Sequence, residues 1–164
     1  MLPKVEIYPY KALRMLLRQE VPECETIGIF LTANAQGCEE WAYLDDVLIL
    51  DVHDTENVRA PKAFSLEHGR QVQAFLEQNK TAARICVCCD SGQSRSTAMA
   101  AAITRYFSEN DLHIWENPKY HPNLLVYRTQ LQVLGIEVLE NELQRLRGIS
   151  DNALREAIRR SRGE

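Results

Sequence analysis

In the run Ile85-Cys86-Val87-Cys88-Cys89-Asp90-Ser91-Gly92-Gln93-Ser94-Arg95-Ser96, a thiol and a guanidinium bracket five residues that include a glycine. That spacing suits a tight loop between a strand and a helix. The backbone N–H groups of Asp90, Ser91, Gly92, Gln93, Ser94 and Arg95 can turn towards one centre, with the sulfur of Cys89 at its base. Such a loop would bind an oxyanion and attack it. A thiol of reference pKa ~8.5 drops to roughly 3.5–7.5 at a helix N-terminus, so Cys89 reads as the nucleophile. Arg95 can hold two equatorial phosphate oxygens with its planar fork, where phosphoryl transfer spreads its charge. Ser96 stands where a hydroxyl can steady the sulfur, and Gly92 frees the turn for a backbone conformation that a Cβ would hinder.

The segment Cys89 to Ser96 resembles the signature of the cysteine-based phosphatases of the protein tyrosine and dual-specificity type: Cys, five residues, Arg, then Ser or Thr. Gly92, Ser96, the apolar strand before and the Ala-rich helix after strengthen the match. That family commonly has His before the nucleophile, and this chain has Cys88 instead. The resemblance implies a phosphatase fold, Cys89, Arg95 and Ser96 as catalytic residues, and a general acid on a loop upstream. Here the apolar stretch Val47-Leu48-Ile49-Leu50 leads into the polar loop Asp51-Val52-His53-Asp54-Thr55-Glu56-Asn57. Asp54 is the preferred acid. Asp51 is its rival, because a carboxylate nearer the strand end can instead cap the loop's own backbone.

Lys119-Tyr120-His121-Pro122-Asn123 resembles the Pro-Asn element that opens a late helix in some compact bacterial members. Asn123 is expected either to cap that helix or to bond back to the phosphate loop. With these pieces the resemblance covers roughly residues 45–135. Cys86-Val87-Cys88-Cys89 also contains a Cys-x-x-Cys. On a strand its neighbours point to opposite faces, whereas redox pairs usually straddle a helix start, so it reads as coincidence. Cys88 reads as a small buried hydrophobe. His53, His68, His113 and His121 lack ligand spacing, so neither a metal nor another cofactor is expected.

A chain of 164 residues with 45% hydrophobic content supports one domain with a proper core. We expect a single catalytic domain over 1–164, with 136–164 as a helical C-terminal extension. A net charge of −4 argues against a general nucleic-acid binder. No apolar run of ~18 residues and no signal-peptide pattern is present, and the five cysteines, three of them crowded at 86, 88 and 89, suit a reducing compartment, so a cytoplasmic location without membrane insertion is expected.

The elements that must position these residues alternate. Strands are predicted over 5–8, 26–31, 47–50 and 84–88, and helices over 10–18, after Ser65 and over 94–106. Ala12, Leu13, Leu16 and Leu17 share one face of the first helix; Val72, Phe75 and Leu76 form the inward stripe of the second. Ser150-Asp151-Asn152 reads as the start of a terminal helix ending in Arg159-Arg160-Ser161-Arg162. Short apolar strands without alternation belong to a sheet covered on both faces, so the fold class is α/β: a central, mostly parallel, twisted sheet between helices, with the phosphate loop at a strand's carboxyl end.

The expected activity is hydrolysis of phosphate monoesters, with phosphotyrosine-type protein or small aryl phosphate substrates and no nucleic acid. Two other uses of the loop stay open at this level. A sulfur-transfer or arsenate-reducing enzyme would also place cysteine in an oxyanion loop, and a catalytically inactive module would bind phosphoprotein without turnover.

Overall fold

The computed structural model describes residues 2–108 and 110–164. Four strands, β1 (Lys4–Pro9), β2 (Thr26–Phe30), β3 (Asp46–Ile49) and β4 (Arg84–Cys89), form one sheet in the order β1-β4-β2-β3 with every pair parallel. Parallel neighbours require crossovers. These are supplied by α1 (Tyr10–Gln19) between β1 and β2, by a segment with two short 3-10 helices (Ala33–Ala35 and Glu39–Tyr43) between β2 and β3, and by α2 (Leu66–Gln78) between β3 and β4, after which α3 (Arg95–Ser108), α4 (Leu112–Trp115), α5 (Leu124–Val133) and α6 (Glu140–Ser161) complete the chain.

β4 is central, and its pleat divides the interior. Ile85 and Val87 enter the larger core with Met99, Ile103, Trp115 and Tyr127, while Cys86 and Cys88 enter the smaller one with Leu13, Leu17, Phe30 and Trp41. Both faces are therefore covered, as the unbroken apolar strands predict. α3 is buried from Arg95 through Ile103. Its Ala-rich first turns let it lie close behind β4 and present its N-terminus to the phosphate loop.

Ser65 caps α2 in a reciprocal arrangement with His68, and Val72, Phe75 and Leu76 are buried as expected. The first helix differs in one respect: Leu13 and Leu17 are buried but Leu16 is 43% exposed, because the smaller core is narrow enough to take one stripe of α1. The terminal helix differs more. α6 begins at Glu140 and passes without a break through Ser150, Asp151 and Asn152. The Ser150 hydroxyl donates across to the Tyr120 carbonyl at 3.2 Å, so it does not compete for the backbone as a cap would. Leu143 and Leu146, earlier on the same helix, join the larger core. Among the described residues no helix is long and apolar enough to cross a membrane.

Candidate active site

All four strands run the same way, so their carboxyl ends open onto one edge of the molecule, the usual ligand edge of an open α/β sheet. β4 delivers Cys89 there, and the turn 90–94 joins it to α3. β2 delivers Leu31 and Thr32, and β3 delivers the acid loop. β1 delivers Pro9, against which the phosphate loop packs. Gly92 has φ +69°, and a Cβ on it would lie 2.7 Å from the Pro9 nitrogen. Backbone conformation and close approach both demand glycine at this position.

Cys89 is 1% exposed, and its Sγ lies 3.1 Å from Ser96 Oγ. Arg95 Nη1 donates to the Leu31 carbonyl at 2.9 Å and the Val52 carbonyl at 2.7 Å, which fixes the guanidinium between the β2 end and the acid loop. Nη2 donates to Asp90 Oδ2 at 3.0 Å. Nε is buried and has no partner among the described residues. A buried donor left free is costly, and an oxyanion seated in the loop would satisfy it. Among the described residues, the backbone N–H groups of Ser91, Gly92, Gln93 and Ser94 also make no bond to a protein carbonyl. These donors and the α3 N-terminus supply the partial positive charge that an anion requires.

Asp90 is the loop's own anion. Burial alone would raise its pKa, but bonds from Thr32 Oγ1 at 2.8 Å, Asn34 Nδ2 at 3.1 Å and Arg95 hold the carboxyl below its ordinary value. It orients Arg95 rather than leaving its side chain to the substrate. The loop's far side is held by carbonyls: Gln93 accepts from the His121 N–H at 2.7 Å and from Thr97 Oγ1 at 2.8 Å, and Ser94 accepts from the Asn123 N–H at 3.2 Å.

The two candidate acids part company. Asp51 pairs with Lys62 at 2.7 Å and, among the described residues, makes no side-chain hydrogen bond to residues 89–96. Asp54 Oδ1 accepts from Ser94 Oγ at 2.8 Å and from Asn123 Nδ2 at 2.9 Å, and its side chain is exposed at the edge where the loop opens. Asn123 does both things expected of it. Its Oδ1 caps α5 by accepting from the Val126 N–H at 3.1 Å, while its amide and backbone tie the acid loop and the phosphate loop together.

Cys88 is wholly buried, and burial pushes its thiol well up. Cys86 is pushed up to about 12 for the same reason. Both lie on the sheet face under α1, the face opposite to Val87 and, by strand alternation, to Cys89. His53 is exposed in the acid loop. Among the described residues no cluster of His, Cys, Asp and Glu is arranged to hold a metal ion.

Thr32 and Asn34, which hold Asp90, are invisible in the motif, although a threonine directly after an apolar strand at the ligand edge is a usable signal. Glu56 and Arg147, which meet across the acid loop, have no such signal because they are 91 positions apart.

No family model and no curated protein matches the chain. Among solved structures, PTPMT1 is similar at 17% identity and a TM-score of 0.47 over 91% of this chain and 95% of that one. Tk-PTP in its active form is similar at 13% identity and a TM-score of 0.43, over 90% and 92% of the two chains. PTPMT1 in complex with PI(5)P is similar at 16% identity and a TM-score of 0.44, over 94% of each.

Proposed function

We propose that this chain is a cysteine-dependent phosphatase that hydrolyses phosphate monoesters in two steps. The observation that carries the reading is the joining of the two candidate chemical groups on one loop: Cys89 opens it, and Ser94 within it holds Asp54 at 2.8 Å. A sulfur-transfer site, whose leaving group departs as a stable anion, would not need a proton donor at that place.

In the first step the Cys89 thiolate attacks phosphorus in line with the leaving oxygen. The S–P bond forms as the P–O bond breaks. Arg95 and the loop amides bind the equatorial oxygens, and Asp54 gives its proton to the departing phenol or alcohol. In the second step the Asp54 carboxylate takes a proton from water, whose oxygen attacks phosphorus. The P–S bond then breaks, inorganic phosphate leaves, and the Ser96 hydroxyl supports the returning thiolate.

For substrate class, the loop carries no lysine, and its one arginine is already paired with Asp90 at 3.0 Å. That charge balance favours a singly phosphorylated aryl group such as phosphotyrosine over a polyphosphorylated ring. Hydrolysis of para-nitrophenyl phosphate in EDTA tests the chemistry. Turnover by the wild type, its loss in Cys89→Ser, and a fall of about 10²–10⁴-fold in Asp54→Asn are expected. A folded but inactive wild type would point to a phosphoprotein-binding module, and full activity of Asp54→Asn would remove the acid. Phosphotyrosine peptides are expected to turn over faster than phosphoserine peptides of the same sequence.

A further inference from the structure

Arg147 lies on α6, distant in sequence from both loops, yet its guanidinium donates to Glu56 Oε2 in the acid loop and contacts His121 Nε2. Its side chain is only 18% exposed, so the pair is partly shielded from solvent. The same Glu56 oxygen accepts the N–H of Leu124, the first residue of α5, where the positive end of the helix favours a carboxylate. His121 in turn donates its backbone N–H to Gln93 in the phosphate loop. One side chain on α6 therefore touches the acid loop and the segment that backs the phosphate loop.

Asp54 itself is exposed and is held by two neutral donors, Ser94 and Asn123. Glu56 lies two residues beyond it, so whatever fixes Glu56 fixes the chain that carries the acid. We propose that Arg147 is a positioning residue for proton donation: through Glu56 it keeps the Asp54 carboxyl at the phosphate loop. The inference rests on the reading of Asp54 as the general acid. A proton donor matters most when the leaving group is poor, and small misplacement of a catalytic group is expensive in rate. Arg147 should therefore act on kcat for a poor leaving group and leave phosphate binding alone.

The test compares kcat and KM for phenyl phosphate, a poor leaving group, and para-nitrophenyl phosphate, a good one. The proteins are wild type, Arg147→Met, Arg147→Lys, Glu56→Gln and Asp54→Asn, with Arg147→Met and Glu56→Gln also placed in the Asp54→Asn background. Arg147→Met and Glu56→Gln are each expected to lower kcat for phenyl phosphate about tenfold, with a much smaller effect on para-nitrophenyl phosphate and on KM. Arg147→Lys should recover most of the loss, and in the Asp54→Asn background neither change should cost anything further. Glu56→Gln is a surface change that keeps an acceptor for Leu124, so it reads the ion pair even if Arg147→Met disturbs folding. Equal losses for both leaving groups, or the same loss with and without Asp54, would overturn the proposal while leaving the phosphatase reading intact. Unchanged phenyl phosphate turnover in Asp54→Asn would overturn the acid assignment and this inference together.

Discussion

Ser94 Oγ donates a 2.8 Å hydrogen bond to Asp54 Oδ1, linking two residues 40 positions apart. Ser94 belongs to the loop that would bind phosphate, and Asp54 follows the edge strand β3. Their bond ties the proposed proton donor to the loop that begins at the proposed nucleophile. Ser94→Ala should cost one hydrogen bond of ~1 kcal/mol, seen as about a fivefold fall in kcat for phenyl phosphate with KM little changed. Asn123→Ala should cost more, since it also removes the α5 cap. Equal, full activity in both variants would argue against the geometry as a catalytic one.

Gly92 and Gly135 both have positive φ, +69° and +83°, but only Gly92 is crowded, by Pro9. Gly135→Ala should therefore cost only the backbone strain, about 1 kcal/mol, whereas Gly92→Ala should exceed it and disrupt the phosphate loop. Thermal unfolding and para-nitrophenyl phosphate turnover of the two variants check the ranking. Activity retained in Gly92→Ala would show that the loop tolerates a different turn.

Asp90 makes stability depend on acidity. Burial opposes its charge, yet the bonds from Thr32, Asn34 and Arg95 win and lower its folded pKa below the unfolded value of ~3.9. Its contribution is present above that unfolded value and is lost as the pH falls through the folded one. With the side chain 43% exposed, screening limits this to about 0.2–1 kcal/mol. Urea unfolding should show Asp90→Asn less stable than wild type at neutral pH, with the gap closing below pH ~4. A gap that widens on acidification would contradict this sign.

Cys86 and Cys88 sit on the face of β4 under α1, and burial raises both thiols. Neither presents a thiolate to the Cys89 side. After inactivation by peroxide, recovery of activity with added thiol should be the same in wild type and in the Cys86→Ala, Cys88→Ala double variant. Slower recovery in the double variant would mean that one of them resolves oxidised Cys89.

The strand-turn-helix unit that carries the candidate phosphate loop was legible because its residues are close in the chain. Cys89, Gly92, Arg95 and Ser96 lie within one strand-turn-helix unit, where spacing along the chain translates directly into spacing in space. The sheet was legible for a related reason, since strands buried on both faces must be apolar at every position. The terminal helix was misread at Ser150 because a serine reads as a cap unless its hydroxyl is used elsewhere. That use, by the Tyr120 carbonyl, is tertiary.

The choice between Asp51 and Asp54 was of the same tertiary kind. Both follow the same strand in a loop of similar composition, and only the folded chain sets Lys62 beside one and Ser94 and Asn123 beside the other. Local spacing thus picked out the candidate nucleophile, the candidate arginine and the turn, and the apolar strands gave the layered α/β class. The partners of Asp54, the Thr32 and Asn34 bonds that hold Asp90, and the reach of Arg147 to Glu56 were decided only when parallel strands and their crossovers brought distant loops to one edge. Contacts between residues far apart in the chain leave no period or motif in the sequence.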